Sequence, residues 1–234
     1  MMHVPRMPVI DRDKWLVDLV KDKSVLHVGC TDHPITVEKI ANGRILHAQL
    51  VKSAKQVTGL DYDSEGIDRL RELFPGQRFI SHNAEELPAC EALKSDRFQM
   101  VVAADVVEHL SNFGRFLEGV KPLLEEGGAL VMTTPSAFSI KRMVPMVFMG
   151  VERVHPDHTA YYSLATLKRL LSRHGFEIDQ AAMFQWKNPT WKNRVVNAAF
   201  SPFVALSGGR LSDEIAVIAR APSSIEATDC SARA

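Results

Sequence analysis

The stretch that decides the fold spans residues 98–136 and reads FQMVVAADVVEHLSNFGRFLEGVKPLLEEGGALVMTTPS. Its first seven residues, 98–104, are nearly all apolar, as in a strand buried on both faces. Asp105, Glu108 and His109 follow directly. Residues 112–124 then carry helical spacing and stop before Gly127-Gly128. A second apolar run, residues 129–133 (ALVMT), is closed by Pro135. Strand, helix and strand in this order make one crossover unit of a parallel sheet.

The same alternation extends in both directions. Upstream, SVLHV at 24–28, QVTGL at 56–60 and the short run 78–81 read as strands. A helix over 44–55 presents Ile45, Leu46, Leu50 and Ala54 on one face. Another covers 64–74, with Ser64 as N-cap and Pro75-Gly76 as its stop. Downstream, a helix over 164–174 ends at Gly175, and 176–182 and 214–219 are the last strands. The expected class is α/β, a Rossmann-like, mostly parallel sheet with helices on both faces. One domain over 1–221 is expected, interrupted at 136–159 and 184–212, where connections are too long to be ordinary. A small, polar tail over 222–234 is expected to be disordered.

Composition sets limits on function. The chain has 234 residues, 46% hydrophobic and 24% charged, and Lys+Arg 28 balances Asp+Glu 28. With a formal net charge of +0 there is no global field to gather nucleic acid, so none is expected as a partner. Cys30, Cys90 and Cys230 are odd in number and form no close pair, which suits a reducing, cytoplasmic setting. The N-terminal residues lack the apolar core of a secretory signal. The most apolar run, residues 143–151, is far short of the ~20 residues of a spanning helix.

In an open α/β sheet, ligands lie beyond the carboxyl ends of the strands. Gly29 follows the strand 24–28 and would allow close backbone approach, or simply make a tight turn. Asp61 ends the next strand, where its two oxygens could accept from both hydroxyls of a ribose. Asn83 could read an adenine edge with the amide of Ala84, or cap a helix. If the chain turned helical straight after residue 104, Asp105, Glu108 and His109 would share one face.

These blocks, VLHVGC, VTGLDYD, the 98–136 stretch and HPDHTAYYSLATLKRLLSRHGFEI, resemble in order and spacing the class I S-adenosylmethionine-dependent methyltransferases. Within that group the similarity is to the small-molecule branch with ubiquinone-type O-methyltransferases, over residues 20–183. The resemblance implies seven strands in the order 3214576, the seventh antiparallel. It implies S-adenosyl-L-methionine as cofactor. Gly29, with Cys30 and Thr31 beside it, would lie along the methionine and ribose; Asp61 would bind the ribose and Tyr62 flank the adenine. Asn83 and Ala84 would read the adenine ring, and the step around Asp105 would lie beneath the sulfonium. The family usually has an acid where this chain has His27, and glycines where it has Thr31 and His33.

The implied reaction is methylation of a hydroxyl on a small molecule, or on a sugar or glycan intermediate. His109 is the first candidate for the base, with His155 and His158 of the HPDH run as the others. A competing arrangement sets Asp105, Glu108 and His109 with His155 or His158 around a divalent cation. That pattern also resembles the metal-dependent enzymes that methylate a terminal ribose of small RNAs. A non-catalytic interaction module is a further alternative, whereas a nicotinamide enzyme would want a GxGxxG that VGCTDHP lacks. The two insertions are rich in Met, Phe and Trp, and between Gln180 and Ser212 there are four basic residues, Lys187, Lys192, Arg194 and Arg210, and no acidic ones. They could wall the acceptor pocket, rest on lipid headgroups, or form a homodimer interface.

Overall fold

In the computed structural model, residues 2–32, 35–186 and 190–222 are described. Eight strands form one sheet: β1 (Val9–Ile10), β2 (Ser24–Val28), β3 (Gln56–Asp61), β4 (Arg78–Ser81), β5 (Phe98–Ala104), β6 (Leu124–Pro135), β7 (Glu177–Phe184) and β8 (Glu214–Arg220). Their order is β1-β7-β8-β6-β5-β2-β3-β4. Strands β2 to β6 pair in parallel, and β8 runs antiparallel to both β6 and β7. Counting from β2, this is the expected 3214576 arrangement, corrected by one strand. The short β1 joins the free side of β7 in parallel and makes eight.

Alternation along the strands divides the apolar residues between two layers. Leu26, Val28, Val101, Ala103, Leu130 and Met132 pack against one set of helices, α5 (Phe113–Val120) and α7 (Leu164–Arg173). Val25, Val57, Met100, Val102 and Val131 face the other way, onto α1 (Arg12–Leu19) and α3 (Leu46–Ser53). The remaining helices are α2 (Thr36–Ala41), α4 (Ser64–Leu73), α6 (Ile140–Met149) and α8 (Trp191–Leu206).

Several boundaries differ from the sequence reading, each for a local reason. Helix α3 starts only at Leu46 because Ile45 is extended, and a separate α2 precedes it. At α4 the N-cap is Asp63, not Ser64, because the Asp63 N–H is donated to the Asp61 carboxylate and its backbone stays extended. The helix expected over 112–124 starts only after Asn112, whose side chain caps α5, and tightens into a 3₁₀ turn at Lys121–Leu123 around Pro122. The insertions over 136–159 and 184–212 hold α6 and α8. Both rise from the carboxyl edge of the sheet, since β7 runs parallel to β6. The tail beyond residue 222, His33 and Lys187 lie outside the described residues.

Candidate active site

Strand register brings the sequence-marked residues to one edge. Val28 stands beside Leu60 on one side and Ala103 on the other, so Gly29, Asp61 and Ala104 are neighbours. Gly29 has φ +72°, and a Cβ there would sit 2.4 Å from Val106 Cγ2. The close approach of these two loops therefore needs glycine, and it keeps the crevice floor flat. The N–H groups of Gly29 and Cys30 are donated to the Leu60 carbonyl at 2.8 and 3.3 Å.

Asp61 is buried, and its oxygens accept from the Thr31 N–H at 2.9 Å and the Asp63 N–H at 3.1 Å. A carboxylate offers about four lone-pair sites, so two remain for a vicinal diol. Tyr62, next along, is 74% exposed and free to lie against a flat ring. Asn83 caps the following 3₁₀ turn, its Oδ1 accepting from the Glu85 N–H at 2.9 Å, with Ala84 part-buried against the main core. The Cys30 thiol packs with Ile45, Ile67, Leu70 and Phe79, and burial pushes its pKa well up. It can present only backbone to a ligand.

Of the residues that depart from the family pattern, Thr31 and His27 leave the crevice clear. The Thr31 methyl lies beside Gly66 of α4, where an added Cβ would meet it at 2.8 Å. His27 points to the opposite layer and stacks on His47 of α3, their Nδ1 atoms 3.1 Å apart. Their ring centroids are 5.4 Å apart and nearly parallel.

The expected helical turn after β5 does not form. Asp105 takes a left-handed φ of 55°, and its N–H is donated to the Thr133 carbonyl at 3.0 Å. Its carboxylate pairs with Arg12 from α1 and accepts from Thr133 Oγ1 at 2.6 Å. The carboxylate is thus committed within the protein, and Asp105 can frame the crevice more readily than contact a ligand. Arg12 also sits over the Trp186 ring, 4.7 Å from its centroid. No periodicity marks Arg12 in the sequence, so this partner was missed.

The turn nevertheless gathers the polar side chains. Glu108, His109 and His158 each place a ligand-type atom within 4.8 Å of the others. The His109 and His158 rings meet edge to face at 4.6 Å, with His155 4.9 Å from His158. His109 Nδ1 is 3.2 Å from the Asp157 carbonyl oxygen, which can only accept. The proton therefore belongs on Nδ1, and Nε2 carries the lone pair. Glu108 is fully buried, accepts from Thr134 Oγ1 at 3.1 Å, and is pushed up to about 8 by burial and by Asp105. His158 is lowered to about 4 by burial and by its two histidine neighbours. Its Nδ1 is buried without a hydrogen-bond partner among the described residues.

Asp213 and Glu214 organise the insertions, a role the sequence reading did not assign. Asp213 accepts from Ser139 Oγ at 3.0 Å and the Trp186 N–H at 3.1 Å, and it pairs with Lys141. Glu214 accepts from Trp186 Nε1 at 2.8 Å and lies 3.6 Å from Arg142. Beside them a mostly apolar cavity of about 260 Å³ is lined by Met7, Phe138, Met143, Leu164, Met183 and Ile215. A wider depression between Glu118, Lys121 and His174 lies past the far end of α5 and touches none of these groups.

The profile of a methyltransferase domain matches residues 12–181. A "probable S-adenosylmethionine-dependent methyltransferase" of Mycolicibacterium smegmatis is 31% identical over 128 residues, 54% of this chain and 45% of that protein. A protein of the same description from Mycobacterium tuberculosis is 30% identical over 125 residues, 53% of this chain and 41% of that one. The match thus spans less than half the length of these curated relatives. Among solved structures, an S-adenosylmethionine-dependent methyltransferase from Archaeoglobus fulgidus has a TM-score of 0.57 at 17% identity, covering 89% of this chain and 90% of its own. Magnesium protoporphyrin IX methyltransferase from Synechocystis, solved with bound S-adenosylhomocysteine, has a TM-score of 0.56 at 14% identity, covering 90% and 80%.

Proposed function

Because this chain belongs to the methyltransferase-domain family, we propose that it methylates a hydroxyl of a small molecule, or of a sugar or glycan intermediate, using S-adenosyl-L-methionine. The observation that carries the reading is the shared edge at which Gly29, the Asp61 carboxylate and the Glu108–His109–His158 group come together. The cofactor supplies an electrophilic methyl on a sulfonium, with a neutral thioether as leaving group. Residues 1–221 would act as one domain.

The protein's share is alignment, exclusion of water and removal of one proton. Asp61 would accept from the ribose hydroxyls, and Tyr62 would cover the adenine beside Asn83 and Ala84. The flat floor at Gly29, Cys30 and Asp105 would let the methionine arm lie against backbone. His109 Nε2, with its lone pair set by the Asp157 carbonyl, would take the hydroxyl proton as the oxygen–methyl bond forms. His158, too weak a base to hold a proton near neutral pH, would accept a hydrogen bond from the acceptor or wall the site. The cavity at Met7, Phe138 and Met143 would take an apolar part of the acceptor.

Calorimetry with S-adenosylhomocysteine tests the reading. Micromolar binding is expected, and Asp61→Ala should weaken it by about 1.5–3 kcal/mol, the loss of hydrogen bonds to a charged group. Absence of binding to well-folded protein would favour a non-catalytic interaction module.

A second reading rests on the Glu108, His109 and His158 cluster. Three donors of mixed oxygen and nitrogen type, one with an orphaned buried nitrogen, fit a borderline divalent cation. Such an ion would polarise the acceptor hydroxyl in place of a free base, as in a metal-dependent ribose 2'-O-methyltransferase. Methyl transfer should then cease on exhaustive chelation and return with added Mn²⁺ or Zn²⁺; activity that survives chelation ends this reading.

A further inference from the structure

Helix α8, WKNRVVNAAFSPFVAL, is apolar on nearly every side, yet of its described side chains only Val204 is buried. A helix hydrophobic all round normally lies in a core or in lipid. The second half of α6 is alike: Met146, Val147, Phe148 and Met149 are all exposed, Phe148 by 80%. The two helices pack against each other and rise together from the carboxyl edge of the sheet. Soluble monomers rarely leave so large a continuous apolar face uncovered.

We infer that the outer face of α6 and α8 docks on the headgroup–acyl boundary of an anionic lipid bilayer. Three observations select this occupant. No described helix is long and apolar enough to cross a membrane, and Pro202 interrupts α8, so the helix can only lie along the surface. The charge in the exposed segment has one sign. Residues 185–212 hold Lys187, Lys192, Arg194 and Arg210 without a single acid, and 136–151 hold Lys141 and Arg142, again with none. Lys141 and Arg142 are engaged inward by Asp213 and Glu214, and Arg210 donates to the Val4 and Ser207 carbonyls, which leaves Arg194, exposed on α8, to meet lipid phosphate. Finally, Trp191 opens α8 and is 70% exposed, and tryptophan is the side chain best suited to the interface. A second copy on the same face would set like charges against each other across a twofold axis. Residues 223–234 carry too few apolar side chains to cover it.

Sedimentation of the full chain with vesicles tests this without cofactor or acceptor, so failure here leaves the methyl-transfer reading untouched. With equal parts phosphatidylcholine and phosphatidylglycerol the protein should pellet, with a blue shift of tryptophan emission, and high salt should weaken the binding. Phosphatidylcholine alone should bind it far less. Phe148→Asp and Phe203→Asp, both at exposed positions, should keep the thermal unfolding midpoint and lower partitioning by about tenfold or more. Wild-type protein that stays in the supernatant with both vesicle types overturns the inference. So do the aspartate variants binding as tightly as wild type, or a dimer in sedimentation velocity that Phe203→Asp dissolves while vesicles bind nothing.

Discussion

His109→Ala should lower methyl-transfer turnover by roughly 10²-fold or more, with S-adenosylhomocysteine affinity retained. The expectation follows from where the proton sits. The Asp157 carbonyl accepts from Nδ1, so Nε2 is the basic nitrogen without any tautomer change. None of the other nearby groups can substitute. His158 is lowered to about 4, and Glu108 is buried, bonded to Thr134 and pushed up to about 8. His155 Nδ1 accepts from the Asp157 N–H, which directs its proton to the far nitrogen. The cofactor contacts proposed for Asp61, Tyr62 and Asn83 lie on other loops, so the loss should fall on kcat more than on cofactor binding. A base role also predicts that the acidic limb of the kcat profile disappears in the variant. Full activity in His109→Ala would remove this histidine from the chemistry. Loss accompanied by loss of bound Mn²⁺ or Zn²⁺ would move it to the metal-holding role.

The sheet was readable because its strands are apolar on both faces. Residues 24–28, 98–104 and 129–133 cannot be mistaken for a surface helix, and the acid or glycine that follows each marks the carboxyl edge. Helix α1 escaped because residues 12–19 alternate charge and bulk with little pattern, and so Arg12 was unseen although it pairs with Asp105. The helices within the insertions were hidden by Pro145 and Pro202, which a local reading takes as breaks. Glu108 and His109 do meet, but with His158 and not Asp105, and not on one face of a helix. A left-handed residue held by β6 turns the chain there, and no local propensity encodes that contact. Asp213-Glu214 did carry a signal, two acids opening a buried strand. Burying such a pair requires partners, and those partners proved to be the insertions.

The folded protein should lose stability between pH ~6.5 and ~4 through the His27–His47 pair, by about 3 kcal/mol for His47 alone. Burial lowers His47 from 6.5 to about 4. It lowers His27 well below its ordinary value, helped by His47 from α3 and Arg12 from α1. Two Nδ1 atoms at 3.1 Å can share only one proton, so the two rings cannot both be charged while the pair is formed. The sign follows from proton counting. Below 6.5 the unfolded chain binds protons at both imidazoles while the folded state binds neither, so unfolding takes up protons and acid favours it. The contribution is absent above 6.5 and grows as pH falls towards the folded pKa. Glu108 and Glu214 act in the opposite sense, because their folded pKa values are raised and lowering the pH removes that penalty. The wild-type curve is therefore a sum, and the pair is isolated by difference. Urea unfolding of wild type and His27→Leu/His47→Leu should give curves that converge towards neutral pH in slope and separate below ~6.5, with the variant losing less stability on acidification. Parallel curves across that range would mean that the two imidazoles titrate normally and that their Nε2 atoms, buried without partners among the described residues, reach water in solution.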